Sequence, residues 1–168
     1  MGKYNHKNGI SQQKLMEHLS YDKDNGLFTW LKPTSTRVKV NRIASCIDSH
    51  GYIRIGIGSI RYMAHRLAWL YVYGAFPSKN IDHINGITTD NRIDNLRDVD
   101  HGINIQNIKG ARKDSAHGIL GITKINNKWR AKIMLNGENI HLGYFDDKDK
   151  AHQAYLERKR IIHIGCTI

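Results

Sequence analysis

Cysteine is almost missing from this chain: Cys46 and Cys166 are the only two among 168 residues. They supply neither a disulfide framework nor a paired Cys-x-x-Cys zinc clip, so the core has to stand on packing alone. Long apolar runs are missing as well. Met1 to Ser20 contains no stretch of signal-peptide type and no later segment approaches membrane-spanning length, which makes a reducing cytoplasm the expected setting. Acidic residues are few, 15 Asp and Glu against 26 Lys and Arg, for a formal charge of +11. Their placement says more than their sum. Residues 1–60 hold 9 basic and 4 acidic side chains, residues 61–108 hold 5 of each, and residues 109–168 hold 12 and 6. A neutral, acid-containing centre between basic flanks suits a protein that grips a polyanion with its arms and a cation with its middle. A merely soluble basic protein is the bland alternative. The length allows one domain or two to three small modules.

Residues 1–10 are polar and read as a frayed leader. Ser11 suits the cap of a short helix with Leu15, Met16 and Leu19 on one face, and Asp24-Asn25-Gly26 marks a turn into a strand at Leu27–Trp30. Arg37 to Val40 alternates charged with β-branched residues, as a half-exposed strand does. Gly51 to Met63 reads as a hairpin about Gly58-Ser59, with Ile53, Ile55 and Ile57 on one face. Ala64 to Tyr73 then reads as a helix stopped by Gly74, its Leu67, Leu70 and Tyr71 facing the core. His65 and Arg66 at its start are placed to reach a phosphate, although a structural hydrogen bond accounts for His65 equally well. A second helix is expected from Asp98 or Asp100 to Lys109, and Lys109 to His117 forms a polar, basic linker.

The central chemistry lies in Ile81-Asp82-His83-Ile84-Asn85-Gly86, followed by Asn95 and Asn104. A carboxylate beside an imidazole offers an oxygen ligand for a hard cation and a base for water. Neighbouring residues of a regular strand point to opposite faces, so the pair can share a site only where the strand ends or bulges. Asp82-His83, Asn95 and Asn104 at these intervals, with Tyr62, Ala64-His65-Arg66-Leu67-Ala68-Trp69 and Pro77 upstream, resemble the HNH endonucleases of phage and homing type, over about residues 21–110. The resemblance implies a ββα-metal core in which Asp82 and Asn104 hold the metal, His83 is the general base and Asn95 holds the hairpin. Asp100 or His101, on the helical face of Asn104, are substitutes for it, and Asn107 would contact DNA backbone or the hairpin. An all-oxygen ligand pair favours one Mg²⁺ or Mn²⁺ over Zn²⁺.

Asn136-Gly137 signals a second hairpin. Pairing Leu135 with Glu138, and onward through Ala131–Leu142 and Trp129–Tyr144, separates two faces. Trp129, Ala131, Ile133, Ile140, Leu142 and Tyr144 form an apolar face, and Lys128, Arg130, Lys132, Met134 and His141 a mostly basic one. A helix from about Asp147, capped by Asp146, presents Ala151, Ala154, Tyr155, Arg158, Ile161 and Ile162 toward the apolar face. Gly121-Ile122, Trp129, Leu142-Gly143-Tyr144-Phe145 and Ala154-Tyr155 resemble the APETALA-like, ethylene-response-factor type DNA-binding domain. That resemblance implies a three-stranded sheet docking on DNA. The family places arginines on its first strand and a tryptophan before Leu-Gly, whereas this chain has Leu120, Thr123, Ile125 and His141, so base specificity does not carry over.

The expectation is a small multi-module α+β protein with a central ββα-metal core and a three-stranded antiparallel sheet packed on one helix. Residues 1–50 would form a helix and strand module, 51–110 the nuclease core, 111–117 a basic linker and 118–168 the DNA-binding domain. The expected function is a metal-dependent endonuclease of phage or homing type, nicking or cutting duplex DNA as a monomer in the cytoplasm of a bacterial or phage-infected cell. No membrane and no small-molecule cofactor is expected. His65, Arg66, Lys128, Arg130, Lys132 and His141 would contact DNA. The rival expectation is a non-cleaving DNA-binding regulator with a vestigial site. An RNA- or ribosome-binding protein shares the charge but has no use for the acid–base pair.

Overall fold

The first helix, α1 (Gln12–His18), starts at Ser11, whose hydroxyl accepts from the Lys14 N–H. A computed structural model of the protein describes residues 9–111, 115 and 117–168. Most of the leader and part of the basic linker lie outside those residues. Strand β1 (Leu19–Asp22) returns antiparallel as β2 (Leu27–Trp30), with Leu19 opposite Trp30 and Asp22 opposite Leu27. A second antiparallel sheet follows, ordered β3 (Cys46–Ile47), β4 (Ile53–Ile57), β5 (Ile60–Met63). The alternation of Ile53, Ile55 and Ile57 turns one face of β4 inward, and Ile55 is 2% exposed.

Helix α2 (Ala64–Tyr73) begins directly at the end of β5 and stops where Gly74 adopts a left-handed conformation. Its Leu67, Ala68 and Leu70 are buried with Leu15, Leu19, Phe28, Trp30 and Ile55 in one core. Strand β6 (Asn80–His83) pairs with β7 (Leu96–Val99), the chain between them passing through a single 3₁₀ turn at Ile93–Asn95. A compact unit ends at Asp98, and a second begins at Val99.

In the second unit, α3 (His101–Gln106) is shorter than the spacing predicts. Asp98 is not its cap. The Asp98 carboxylate instead accepts from the Ser78 N–H and hydroxyl and from the Lys79 N–H, at 2.8–2.9 Å, and residues 96–99 belong to β7. Asp100 occupies the position before the first turn, and the helix ends at Asn107 rather than running on to Gly110. Strands β8 (Ile122–Ile125), β9 (Lys128–Leu135) and β10 (Glu138–Phe145) form an antiparallel sheet ordered β10-β9-β8. Helix α4 (Lys148–Ile162) packs on it, burying Ala151 and Tyr155, and its cap is Asp147, not Asp146. The expected α+β architecture, with an antiparallel three-stranded sheet on one helix, is what the chain adopts.

Two readings of strand geometry need correction. Residues 37–40 form no strand, and only Val38 reaches the core. The β9–β10 register agrees with expectation from Leu135–Glu138 to Lys132–His141, then slips at a bulge between His141 and Gly143. Beyond it Gly143 faces Ala131, Tyr144 faces Arg130 and Phe145 faces Trp129. One extra residue reverses which side chains point inward. Phe145 therefore joins Leu142 and Trp129 against the core, and Tyr144 is 54% exposed on the other side.

Candidate active site

Asp82 and His83 are the last two residues of β6, and both are buried, at 5% and 4% exposure. The strand ends at His83, and Gly86, in a left-handed conformation, donates its N–H to the His83 carbonyl at 2.8 Å. The two side chains have different partners. Both Nε and Nη2 of Arg97 lie 2.7 Å from Asp82 Oδ2, joining the two strands of the hairpin by a charge-assisted pair. His83 Nε2 lies 3.2 Å from Asn91 Oδ1. Since the amide oxygen can only accept, Nε2 carries the proton and a neutral ring keeps its lone pair on Nδ1.

Burial pushes the His83 pKa below its usual 6.5, against opposing contributions from the Asn91 bond and from the charges of Asp82 and Asp90. The ring is therefore neutral near pH 7. It sits in a cluster of three rings, its centroid 5.2 Å from that of His65, edge to face, and 6.0 Å from that of Tyr52. His65 itself is buried, with no hydrogen-bond partner for Nδ1 among the described residues, and burial together with the charges of His83 and Arg66 drives its pKa down to about 3. Burial and the charges of Asp48 and Asp82 raise the Tyr52 pKa. The Arg66 guanidinium is directed to backbone, donating to the Pro77 and Lys79 carbonyls at 3.2 and 3.3 Å.

Asn95 ties the hairpin loop together. Its amide nitrogen donates to Asn85 Oδ1 at 3.0 Å and to the Asp90 carbonyl at 2.8 Å, while its oxygen accepts from the Asn85 N–H at 2.9 Å. The first sheet supports this loop from below. Tyr21 donates its hydroxyl to the Asn91 carbonyl at 2.7 Å, and Gly26 (φ +73°) packs so tightly that a Cβ there would stand 2.4 Å from the Arg92 nitrogen and 2.6 Å from the Asn91 carbonyl carbon. Asn91, 1% exposed, and Arg97 are the contributors that sequence reasoning passed over. Each stands in the polar run between Asn85 and Asp98, where nothing local separates a buried amide from a turn residue.

Asn104 and His101 lie on α3 and Asp100 just before it, all in the second unit. Among the described residues no three His, Cys, Asp or Glu side chains gather to hold a metal ion.

The profile of the HNH endonuclease family matches residues 62–104 of the chain. Those residues are an HNH endonuclease domain. The matched segment runs from β5 through α2, β6 and β7 into α3, and so contains Asp82, His83, Asn91, Asn95, Arg97 and Asn104. No curated protein and no solved structure is similar enough to the chain to be matched. The HNH domain occupies about a quarter of the chain, and the sheet that follows it carries no family assignment.

That sheet has two unlike faces. Directly opposed residues of neighbouring strands share a face. Thr123, Arg130 and Tyr144 thus form one row on the side away from α4, with Lys132 and His141 paired beside it and Ile125 and Lys128 beyond. The rings of His141 and Tyr144 lie 4.8 Å apart. The Lys128 ammonium is 3.6 Å from the exposed Asp146 carboxylate, an ion pair worth little in water.

Proposed function

We propose that the protein is a metal-dependent DNA endonuclease that nicks or cuts duplex DNA, of phage or homing type. The observation that carries this reading is the state of His83: a neutral imidazole, its Nε2–H tied to a buried amide, one residue from a buried carboxylate inside an HNH domain. In this reading the Nδ1 lone pair takes the proton from the attacking water. Asn91 fixes the tautomer and the ring orientation, while Asn95 keeps the loop carrying both at its fixed width.

In this reading Asp82 would supply one hard oxygen ligand for a divalent cation, and the resemblance to the HNH endonucleases would make Asn104 the second. A site of one carboxylate and one amide oxygen fits Mg²⁺ or Mn²⁺, which take few protein ligands and fill the remainder with water and phosphate. The buried Asp82 carboxylate already requires a positive partner, which Arg97 provides here. When bound, such an ion would neutralise charge on the phosphate and on the departing 3′ oxygen, leaving 5′-phosphate and 3′-hydroxyl ends.

The second unit, with residues 118–168 as a DNA-binding domain joined through 111–117, would set the docking position. Lys128, Arg130, Lys132 and His141 would face the duplex, with phosphate contacts dominating. His65 and Arg66, in this reading, shape the site more than they touch DNA. One observation favours a second reading: Arg97 holds Asp82 Oδ2 through both Nε and Nη2, as in a regulator that binds DNA without cutting it. A single assay separates the two. Purified protein with Mg²⁺ should convert supercoiled plasmid to open-circle or linear form and stop on chelation. DNA binding with no metal-dependent conversion would favour the regulator.

A further inference from the structure

Residues 25–47 contain four cationic side chains and no Asp or Glu. Within them, Leu31 to Val40 make an excursion closed at its base by hydrogen bonds from the Trp30 N–H to the Arg42 carbonyl (2.9 Å) and from the Asn41 N–H to the Trp30 carbonyl (2.8 Å). The excursion is held at further points. The Leu31 and Lys32 N–H groups donate to the His18 carbonyl, Thr34 Oγ1 accepts from the Gly58 N–H at 3.0 Å, and Val38 packs on the core. Its shape is therefore set by the fold; Lys32, Arg37 and Lys39 are exposed on it, and Arg42 is exposed at its base.

The cations around the HNH hairpin are treated differently. Arg54 pairs with Asp48 at 2.8 Å, Arg92 with Asp90 at 2.6 Å, Arg97 with Asp82 at 2.7 Å, and Arg66 donates to two carbonyls. Among the described residues no carboxylate pairs with Lys32, Arg37, Lys39 or Arg42. A plain solvated face would mix both signs and keep large apolar groups inside. This one holds a single sign and exposes Leu31 by 46%, Val40 by 56%, Ile43 by 50% and Ile47 by 64%. Unneutralised cations interleaved with exposed aliphatics suit a backbone-gripping surface, the charges on phosphates and the aliphatics against sugar.

We infer that the loop from Leu31 to Ile43 is a phosphate clamp for duplex DNA, made by Lys32, Arg37, Lys39 and Arg42 and separate from the residues that do the chemistry. The inference rests on the nuclease reading and adds to it a second grip within the same unit as His83. Its action is electrostatic and independent of base sequence, so it lengthens residence on DNA without choosing the target.

The test is the salt dependence of duplex binding by the full chain, for wild type, Lys39→Gln/Arg42→Gln, the quadruple variant that adds Lys32→Gln and Arg37→Gln, and a charge-matched control, Lys148→Gln/Lys150→Gln, on α4. Removing one cation from a phosphate should flatten the plot of log K against log salt by about 0.9. The slope should therefore shrink by about 1.8 in the double variant and about 3.6 in the quadruple, with thermal unfolding unchanged because all four side chains are exposed. Cleavage of saturating DNA should stay at the wild-type rate. Slopes equal to that of the control would overturn the clamp, as would a fall in saturated cleavage without a change in slope. A wild type that binds but does not cut sinks the nuclease reading alone, since the slopes still decide the clamp. A wild type that does not bind duplex DNA removes both.

Discussion

Replacing Asn91 with alanine isolates the hydrogen bond that sets the state of the proposed base. The Asn91 amide is 1% exposed and receives the Nε2–H of His83, itself 4% exposed. Without it, a buried N–H has no acceptor, which costs about 1–3 kcal/mol. If that cost is felt at the transition state, at about 1.36 kcal/mol per tenfold, cleavage falls by about 5- to 150-fold. The pH profile adds a sign. His83 works as a base only when neutral, so activity climbs as pH rises through its pKa, below 6.5, and levels off near neutrality. The Asn91 bond favours the protonated ring, hence its removal moves the acid limb to lower pH while the plateau drops. Single-turnover cleavage of duplex DNA across the acid-to-neutral range, with binding measured in parallel, reads both effects. An unchanged plateau, or a limb that moves upward, would refute the tautomer assignment.

Arg97→Gln removes the cation from a buried carboxylate and should lower stability by about 3 kcal/mol, seen in denaturant melts. Added Mg²⁺ should restore more of this in the variant than it adds to wild type; equal shifts would place the ion away from Asp82. Gly26→Ala sets a Cβ into the Asn91–Arg92 backbone at a residue with φ of +73°, so it should unfold at lower temperature and cleave more slowly. A Gly26→Ala protein with wild-type melting and turnover would show that the first hairpin does not support the loop that carries Asn91.

Local signals in the chain were readable where local chemistry decides the outcome. Helix α2 follows from the Leu67 and Leu70 spacing and the Gly74 stop, and the β9–β10 turn from Asn136 and Gly137, both with positive φ. What failed depends on partners distant in sequence. Alternation at residues 37–40 suggested a strand, but a strand needs a neighbour, and the anchors at His18 and Gly58 shape the segment as a loop. The bulge at Leu142 leaves no mark in an alternating pattern, yet it carries Tyr144 to the cationic face. At the site, the Asp82-His83 pair and the two later asparagines were visible by spacing. The roles of Asn91 and Arg97 were not, because a buried amide and a paired guanidinium are defined by what surrounds them.

The most direct measurement is turnover against affinity for His83→Ala. Mg²⁺-dependent cleavage of duplex DNA should disappear while the dissociation constant stays within about twofold of wild type, since His83 is buried and touches no phosphate in this scheme. Cleavage persisting at a comparable rate, or falling only in step with binding, would contradict a role for His83 as the base.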